Sequence, residues 1–237
     1  MVGLAKSRAN GNFLITLSLQ NNNTQIELLF CNMDVSGIVE IPALFQNKTA
    51  KRLTFTTEGI MVEKPLSFSS PVFIPAESIC SFRYRVVVLR GYAFSFGRQY
   101  IIETRDFQNK VFLIKLTSFY SIRREAYHKL WYAIFNQLWE NYFSSTLNYY
   151  IELYSIQQVF ELAGVKFHTD GISWDKRNKL LWHEIALSNY RTYFMIHHVE
   201  NPYQNKSCSF SMDWNALILQ VLLKNIVKQH KQSREIY

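Results

Sequence analysis

Hydrophobic and polar residues alternate along most of the chain with the two-residue period of β-strands. Between residues 13 and 30 the alternation lies on both sides of a polar turn, which predicts a hairpin. A long β-rich stretch follows over 79–96, and the apolar segments 100–103 and 111–116 are expected to pair across the turn at 106–109. The pattern therefore predicts a chain rich in antiparallel strands.

In two segments the period changes to three or four residues, which predicts an amphipathic helix in each. Ser121 and Ser211 stand at the entries of these helices as predicted N-caps, since a serine hydroxyl can accept an orphan amide hydrogen there. Trp131 lies on the apolar face of the first helix and Trp214 on that of the second. Both aromatic faces are expected to pack in the core.

One short motif occurs twice, because Phe55-Thr-Thr-Glu-Gly59-Ile60 returns as Phe167-His-Thr-Asp-Gly171-Ile172. Each copy predicts a hairpin, in which glycine supplies the positive φ of a tight turn. Strands and then one amphipathic helix follow each motif. The sequence thus predicts a duplicated module, with a first domain at 1–158 that includes the N-terminal hairpin and a helical linker over 142–158, and a shorter second domain at 159–237.

This order of motifs resembles tandem pleckstrin-homology-like (PH-like) domains of the kind found in bacterial proteins of unassigned role. The resemblance rests on the two glycine hairpins, on the predicted strands Ile74-Pro-Ala-Glu-Ser-Ile79 and Leu181-Trp-His-Glu-Ile185, and on the two closing helices. It covers residues 50–142 and 160–228. It implies an α+β, mostly β fold, with two PH-like bent β-sandwich or barrel domains, each closed by a C-terminal amphipathic helix.

Composition supports a folded chain and leaves the partner open. The 237 residues include 14 Tyr, 18 Phe and five Trp, which is typical of β-rich folded proteins and excludes a disordered chain. The formal net charge of +8 is compatible with an anionic partner such as a membrane, a nucleic acid or an acidic protein. Because the basic residues are dispersed, solvated surface charge is the favoured interpretation.

A possible anion site follows from the resemblance, since lipid-binding members of the superfamily place Lys and Arg around the loop between their first two strands. In this chain the corresponding loops are short and carry Glu58 and Asp170, which disfavours phosphate there. The candidate surface for an anionic lipid or a partner therefore consists of five basic side chains outside these loops: Lys51, Arg52, Lys176, Arg177 and Lys179.

Catalytic and metal-binding patterns are not found in the sequence. The histidines after residue 160 lack a compact ligand spacing, and adjacent His197 and His198 would point to opposite faces of a strand. The chain has no nucleophile elbow and no phosphate-binding loop. We expect that it is not an enzyme and that it binds no metal or cofactor.

Nucleic-acid binding is a rival interpretation of a basic, aromatic chain. Phe82 and Tyr84 alternate with Arg83 and Arg85, so the aromatic rings and the arginines are expected on opposite faces of one strand. A base-stacking platform needs both on the same face. Nucleic acid is therefore not favoured as a partner.

The remaining features concern the compartment and the partner. Cys31, Cys80 and Cys208 are odd in number and widely separated, which predicts free thiols in a reducing compartment. We find no signal-peptide pattern or membrane-spanning run and expect a soluble, cytoplasmic protein.

The sequence predicts a non-catalytic binding or scaffolding module that engages a protein partner through an open sheet edge or the face between the copies, with homo-oligomerisation as a further outcome. The alternative is peripheral binding to anionic membrane lipid through the basic residues.

Overall fold

Antiparallel strands dominate the computed structural model of this α+β chain, which describes residues 7–9, 12–14, 37–46, 48–65, 69–176 and 178–234. Met1–Ser36 and Gly37–Tyr237 form two compact units. In the first unit, β1 (Ser7–Ala9) pairs antiparallel with β2 (Asn12–Leu14). Most of the hairpin predicted between residues 13 and 30 lies outside the described residues.

The second unit begins with a four-stranded antiparallel sheet and a three-stranded one, which we call the first series. The four strands, in sheet order, are β3 (Ile38–Pro42), β4 (Thr49–Thr56), β5 (Gly59–Glu63) and β6 (Val72–Pro75). The three strands, also in sheet order, are β7 (Ser81–Arg90), β8 (Ser95–Arg105) and β9 (Val111–Phe119). The strands predicted at 100–103 and 111–116 pair as β8 and β9.

The same arrangement of a four-stranded and a three-stranded sheet recurs with shorter strands after residue 159, and we call it the second series. Its four strands are β10 (Phe160–Leu162), β11 (Val165–Phe167), β12 (Gly171–Ser173) and β13 (Lys179–Leu181). Its three strands are β14 (Ile185–Asn189), β15 (Tyr193–His198) and β16 (Asn205–Ser209).

Both glycine motifs form hairpins, as predicted. Phe55 lies opposite Ile60 across the β4–β5 pair, and Phe167 lies opposite Ile172 across the β11–β12 pair. All four side chains are buried, so the corresponding positions of the two motifs both contribute to the hydrophobic core.

Each hairpin glycine is required by a close approach of backbones. A Cβ at Gly59 would collide with the carbonyl oxygen of Ile74 on β6, and a Cβ at Gly171 would collide with that of Leu180 on β13. Gly59 also has a positive φ of 154°, whereas the φ of Gly171 is not positive, so the predicted positive φ is wrong for the second hairpin. At Gly171 the need for glycine comes from the neighbouring strand alone.

The two segments predicted as strands, 74–79 and 181–185, are strand only at one or both of their ends and contain 3₁₀ turns, Ala76–Ser78 and Trp182–Glu184. The first amide of each turn donates to the carbonyl of the residue before the hairpin glycine, which is Glu58 (2.8 Å) or Asp170 (3.2 Å). The prediction of a continuous strand was wrong because the chain leaves one sheet and enters the next at this point.

Helices follow both series. α1 (Arg124–Leu138) continues through a π-helical turn (Trp139–Phe143) into α2 (Ser144–Ser155), so most of the segment 142–158 is helical. The predicted domain boundary after residue 158 falls between α2 and β10. The last element is α3 (Ala216–Arg234).

The predicted serine caps are wrong, because both helices begin later than expected. Ser121 and Arg123 adopt left-handed φ values of 64° and 56°, and α1 begins after them without a side-chain cap. Asn215, with φ of 61°, separates Ser211 from the start of α3. A left-handed residue cannot belong to a right-handed helix, so the apolar periodicity placed both starts too early.

One hydrophobic cluster joins buried side chains of both series and of the helices. Phe82 of β7 and Phe143 of the π-helical turn stack within it with ring centroids 3.7 Å apart, and Trp131 is buried as predicted. Cys80 and Cys208 are free thiols, and burial raises the pKa of Cys208 to about 12. Cys31 lies outside the described residues. Over the part of the chain that the structure describes, no helix is long and apolar enough to cross a membrane.

Candidate functional site

Two of the predicted basic residues lie on β4, where one of them is already neutralised. Arg52 forms ion pairs with Glu40 on β3 (2.7 Å) and with Glu63 on β5 (3.5 Å), and its hydrogen bonds lower the pKa of Glu40. Lys51 is half-buried, and the loss of solvation lowers its pKa, with a further contribution from the charge of Lys64. Arg52 is therefore a weak candidate for binding an external anion.

The other predicted basic residues belong to the second series. Lys179 on β13 forms an ion pair with Asp170 in the hairpin turn, at 2.6 Å. Lys176 is exposed in the loop before β13, and Arg177 lies outside the described residues. That all five basic side chains lie on one face of the molecule stays a prediction.

The histidines of the second series bind separate polar partners. His168 Nε2 lies 2.8 Å from Ser173 Oγ, and His197 Nε2 lies 3.0 Å from Ser188 Oγ. His198 Nδ1 accepts two backbone amides of the following turn. Within the described ranges, no three His, Cys, Asp or Glu side chains lie close enough to hold a metal ion.

Two arginines of β7 share one buried carboxylate. Arg83 and Arg85 both bind Glu103 on β8, with Arg85 Nη2 at 2.8 Å from Oε1, and the Glu103 side chain is 8% exposed. Phe82 and Tyr84, which alternate with them, pack against aromatic side chains of α1. The predicted separation of rings and arginines on opposite faces is confirmed.

Residues 210–215, which we call the edge segment, bond to the outer edge of β7. The Tyr84 amide donates to the Phe210 carbonyl at 2.9 Å. The Asn215 amide donates to the Phe82 carbonyl at 2.8 Å, and the Phe82 amide donates to Asn215 Oδ1 at 3.0 Å. A piece of chain from the second series thus occupies a sheet edge of the first.

Trp214 does not lie in the core face of α3, and this prediction was wrong. It precedes the helix and packs against two guanidinium groups, those of Arg83 and Arg105, each with Cζ 4.4 Å from the ring centroid. Arg105 Nε also donates to Ser81 Oγ at 3.2 Å. These cation–π contacts add to the bonds of the edge segment and strengthen the junction of the two series.

A groove of about 410 Å³ lies beside this junction. Its charged lining residues are two cations, Arg105 and Lys206, and two carboxylates, Glu161 and Asp213. Because these formal charges balance, the groove has no evident preference for an anion or a cation.

β14, the first strand of the second three-stranded sheet, has an open edge. Among the described strands it pairs only with β15. The Tyr190 amide donates to the Tyr193 carbonyl at 3.0 Å, and this bond sets the alternation of the ladder. The backbone groups of Ile185, Leu187 and Asn189 are therefore directed away from β15, whereas the corresponding edge of β7 is filled by the edge segment. Ile185 is buried, so the accessible part of the β14 edge lies at half-buried Leu187 and exposed Asn189.

No protein-family model matches the chain, and no curated protein matches it.

Proposed function

We propose that the chain is a non-catalytic binding or scaffolding module composed of two PH-like domains. The recurrence of a four-stranded sheet, a three-stranded sheet and a following helix supports this proposal. The PH-like resemblance implies a platform that presents sheet edges and loops to ligands.

The partner is a protein, and the observation that carries this conclusion is the contrast between the two edge strands. The edge of β7 accepts the edge segment through backbone hydrogen bonds. The edge of β14 presents the same kind of unpaired groups, and an extended peptide can add to such an edge by β-augmentation. A second copy of the chain would use the same edge, which would produce homo-oligomers.

Lipid binding through the five predicted basic residues is supported less well than a protein partner at the β14 edge. Arg52 and Lys179 are already paired with carboxylates of neighbouring strands and turns. An anionic lipid would have to compete with these pairs, although their exposure keeps each pair weak.

Leu187→Pro tests the proposal, because proline removes the amide hydrogen that points away from β15 and leaves the β14–β15 ladder intact. Leu187→Ala is the matched control, since it also shortens the side chain but keeps that amide. The tagged wild type and both variants are used to capture partners from an extract of the native cells at low and moderate salt, followed by mass spectrometry.

We expect a stoichiometric, salt-resistant protein, or the chain itself, with the wild type and with Leu187→Ala, and its loss with Leu187→Pro. Circular dichroism spectra establish that both variants are folded. Equal capture by Leu187→Pro would show that the β14 edge is not the binding site. Recovery of nucleic acid or lipid alone, lost as salt rises, would contradict a protein partner.

A further inference from the structure

Apolar side chains are exposed at one end of the sheet formed by β7, β8 and β9. Tyr92 in the β7–β8 turn is fully exposed, and Phe94 in the same turn is 61% exposed. Tyr120, which follows β9, is 72% exposed, and Ile122 is 39% exposed. We call these four residues the aromatic tip. Their exposure to water is unfavourable, and a cluster of this kind is typical of an interaction surface.

Backbone hydrogen bonds place the two halves of the aromatic tip side by side. The Gly91 amide donates to the Phe94 carbonyl at 2.8 Å and closes the β7–β8 turn. The Tyr120 amide donates to the Phe96 carbonyl at 2.8 Å. Phe94 precedes Phe96, the residue that binds Tyr120, by only two positions, so both halves lie at the same end of the sheet.

Three arginines flank the aromatic tip: Arg90 ends β7, Arg98 lies in β8, and Arg124 begins α1. Among the described residues, none of the three forms an ion pair with a carboxylate. The chain segments that form this end, 80–102 and 111–124, contain no Asp or Glu. These three arginines therefore have no carboxylate partner among the described residues, whereas Arg83 and Arg85 share Glu103.

Two of these positive charges, those of Arg98 and Arg124, act on His128 of α1. Burial lowers the pKa of His128, and the charges of Arg98 and Arg124 lower it further. Glu125 acts in the opposite direction, but its carboxylate also pairs with Lys129 at 3.1 Å. The local field beside the aromatic tip is thus positive.

We propose that the aromatic tip and its three flanking arginines form a docking surface for an anionic membrane. Aromatic side chains are favoured at the boundary between lipid headgroups and acyl chains, and arginine pairs with lipid phosphate and carboxylate groups. A membrane surface offers both an apolar and an anionic layer. This surface is distinct from the β14 edge, so the inference is independent of the proposed protein partner.

Co-sedimentation with vesicles tests this surface. The full chain is mixed with vesicles of phosphatidylcholine alone or of an equimolar mixture with phosphatidylserine, over a range of salt concentrations. The wild type is expected to bind the mixed vesicles and to lose affinity as salt rises. Failure of the wild type to bind the mixed vesicles at low salt would overturn the proposal.

Variants separate the apolar and the ionic contributions. The double variant Tyr92→Ser with Phe94→Ser is expected to weaken binding about tenfold or more, because each ring loses its apolar contact. Phe107→Ser is the matched control, since Phe107 is 85% exposed in the β8–β9 turn at the opposite end of the same sheet. Unchanged binding by the double variant, or equal weakening by Phe107→Ser, would contradict the proposal.

Charge-removing variants distinguish the aromatic tip from the basic residues predicted from the sequence. The triple variant of Arg90, Arg98 and Arg124 to Gln is expected to abolish the salt-dependent binding. The triple variant of Arg52, Lys176 and Lys179 to Gln should retain it. The reverse result would show that Arg52, Lys176 and Lys179 bind the membrane and that the aromatic tip does not. Binding of the wild type to a single-stranded oligonucleotide but not to vesicles would assign the surface to nucleic acid instead.

Fluorescence gives a second readout that does not depend on affinity. In Phe94→Trp, the fluorescence of the new tryptophan is obtained by subtracting the wild-type spectrum. This difference spectrum should shift to shorter wavelength with phosphatidylserine vesicles, because the indole enters a less polar layer. An unshifted emission at saturating lipid would contradict insertion of the aromatic tip.

Discussion

At the residue scale, the Asn215 side chain makes one of the polar links between the two series of strands. Its Oδ1 accepts the Phe82 amide at 3.0 Å, its Nδ2 donates to the Cys80 carbonyl at 3.4 Å, and the residue is 8% exposed. Asparagine suits this position because it tolerates the left-handed φ better than most residues do.

We expect Asn215→Ala to lower the free energy of unfolding by about 2–3 kcal/mol, since a buried amide loses its acceptor and alanine resists the left-handed φ. Asn215→Gly loses the same hydrogen bonds but accommodates the backbone, so it should be less destabilised by about 1 kcal/mol. Urea unfolding measures both values. A variant Asn215→Ala as stable as the wild type would show that the link is dispensable.

The pH dependence at His128 has a defined sign. Its pKa in the folded chain lies below the ordinary value of 6.5, so the folded state binds this proton less readily than the unfolded chain. The associated stability is complete above pH 6.5 and is lost as the pH falls from there towards the folded pKa. We expect Arg98→Gln to raise the pKa of His128, as measured by NMR titration, and Arg52→Gln to leave it unchanged. An unaltered pKa in Arg98→Gln would contradict the positive field beside the aromatic tip.

At the element scale, the two hairpin glycines predict matched effects in the two series. Gly59→Ala and Gly171→Ala should each lower the free energy of unfolding by about 3 kcal/mol or more, because the new methyl group collides with a strand backbone. Gly91→Ala is the control, since its nearest neighbours would lie at an ordinary 3.7 Å. Tolerance of alanine at one hairpin alone would show that the two glycines are not equivalent.

The sequence predicts the hairpins and the helical segments because their periodicity is local. Phe55 and Ile60 alternate into the core from either side of a turn, and the same rule serves the second hairpin. The helix starts were misplaced because Arg123 and Asn215 adopt left-handed conformations that no local pattern requires. Tertiary fit imposes them, and the resulting turn places Trp214 on two arginines outside the core.

The candidate surfaces were harder to predict, because they depend on the register between strands. Arg52 lies directly opposite Glu40 and Glu63 on its two neighbouring strands, and this cross-strand pairing neutralises a residue that the sequence presents as free. The same holds for Arg83 opposite Glu103. The aromatic tip did have a sequence signal, namely aromatic residues and arginines without nearby carboxylates, but its exposure depends on which strands end together.

At the scale of the whole molecule, the two proposals describe one protein with two separate binding surfaces. The β14 edge would hold a protein partner, and the aromatic tip would hold the chain at an anionic membrane. The junction made by the edge segment is consistent with a rigid scaffold, because backbone bonds, a buried amide and the Trp214 contacts all connect the two series.

Hydrogen–deuterium exchange resolved to single amides tests the central claim of an open β14 edge most directly. In the free chain, the Leu187 amide should exchange rapidly, whereas the Phe82 and Tyr84 amides, which donate to the edge segment, should be protected. With the captured partner bound, Leu187 should become protected while Phe82 and Tyr84 remain unchanged. A Leu187 amide that is already protected in the free chain, or that still exchanges rapidly in the complex, would contradict the account.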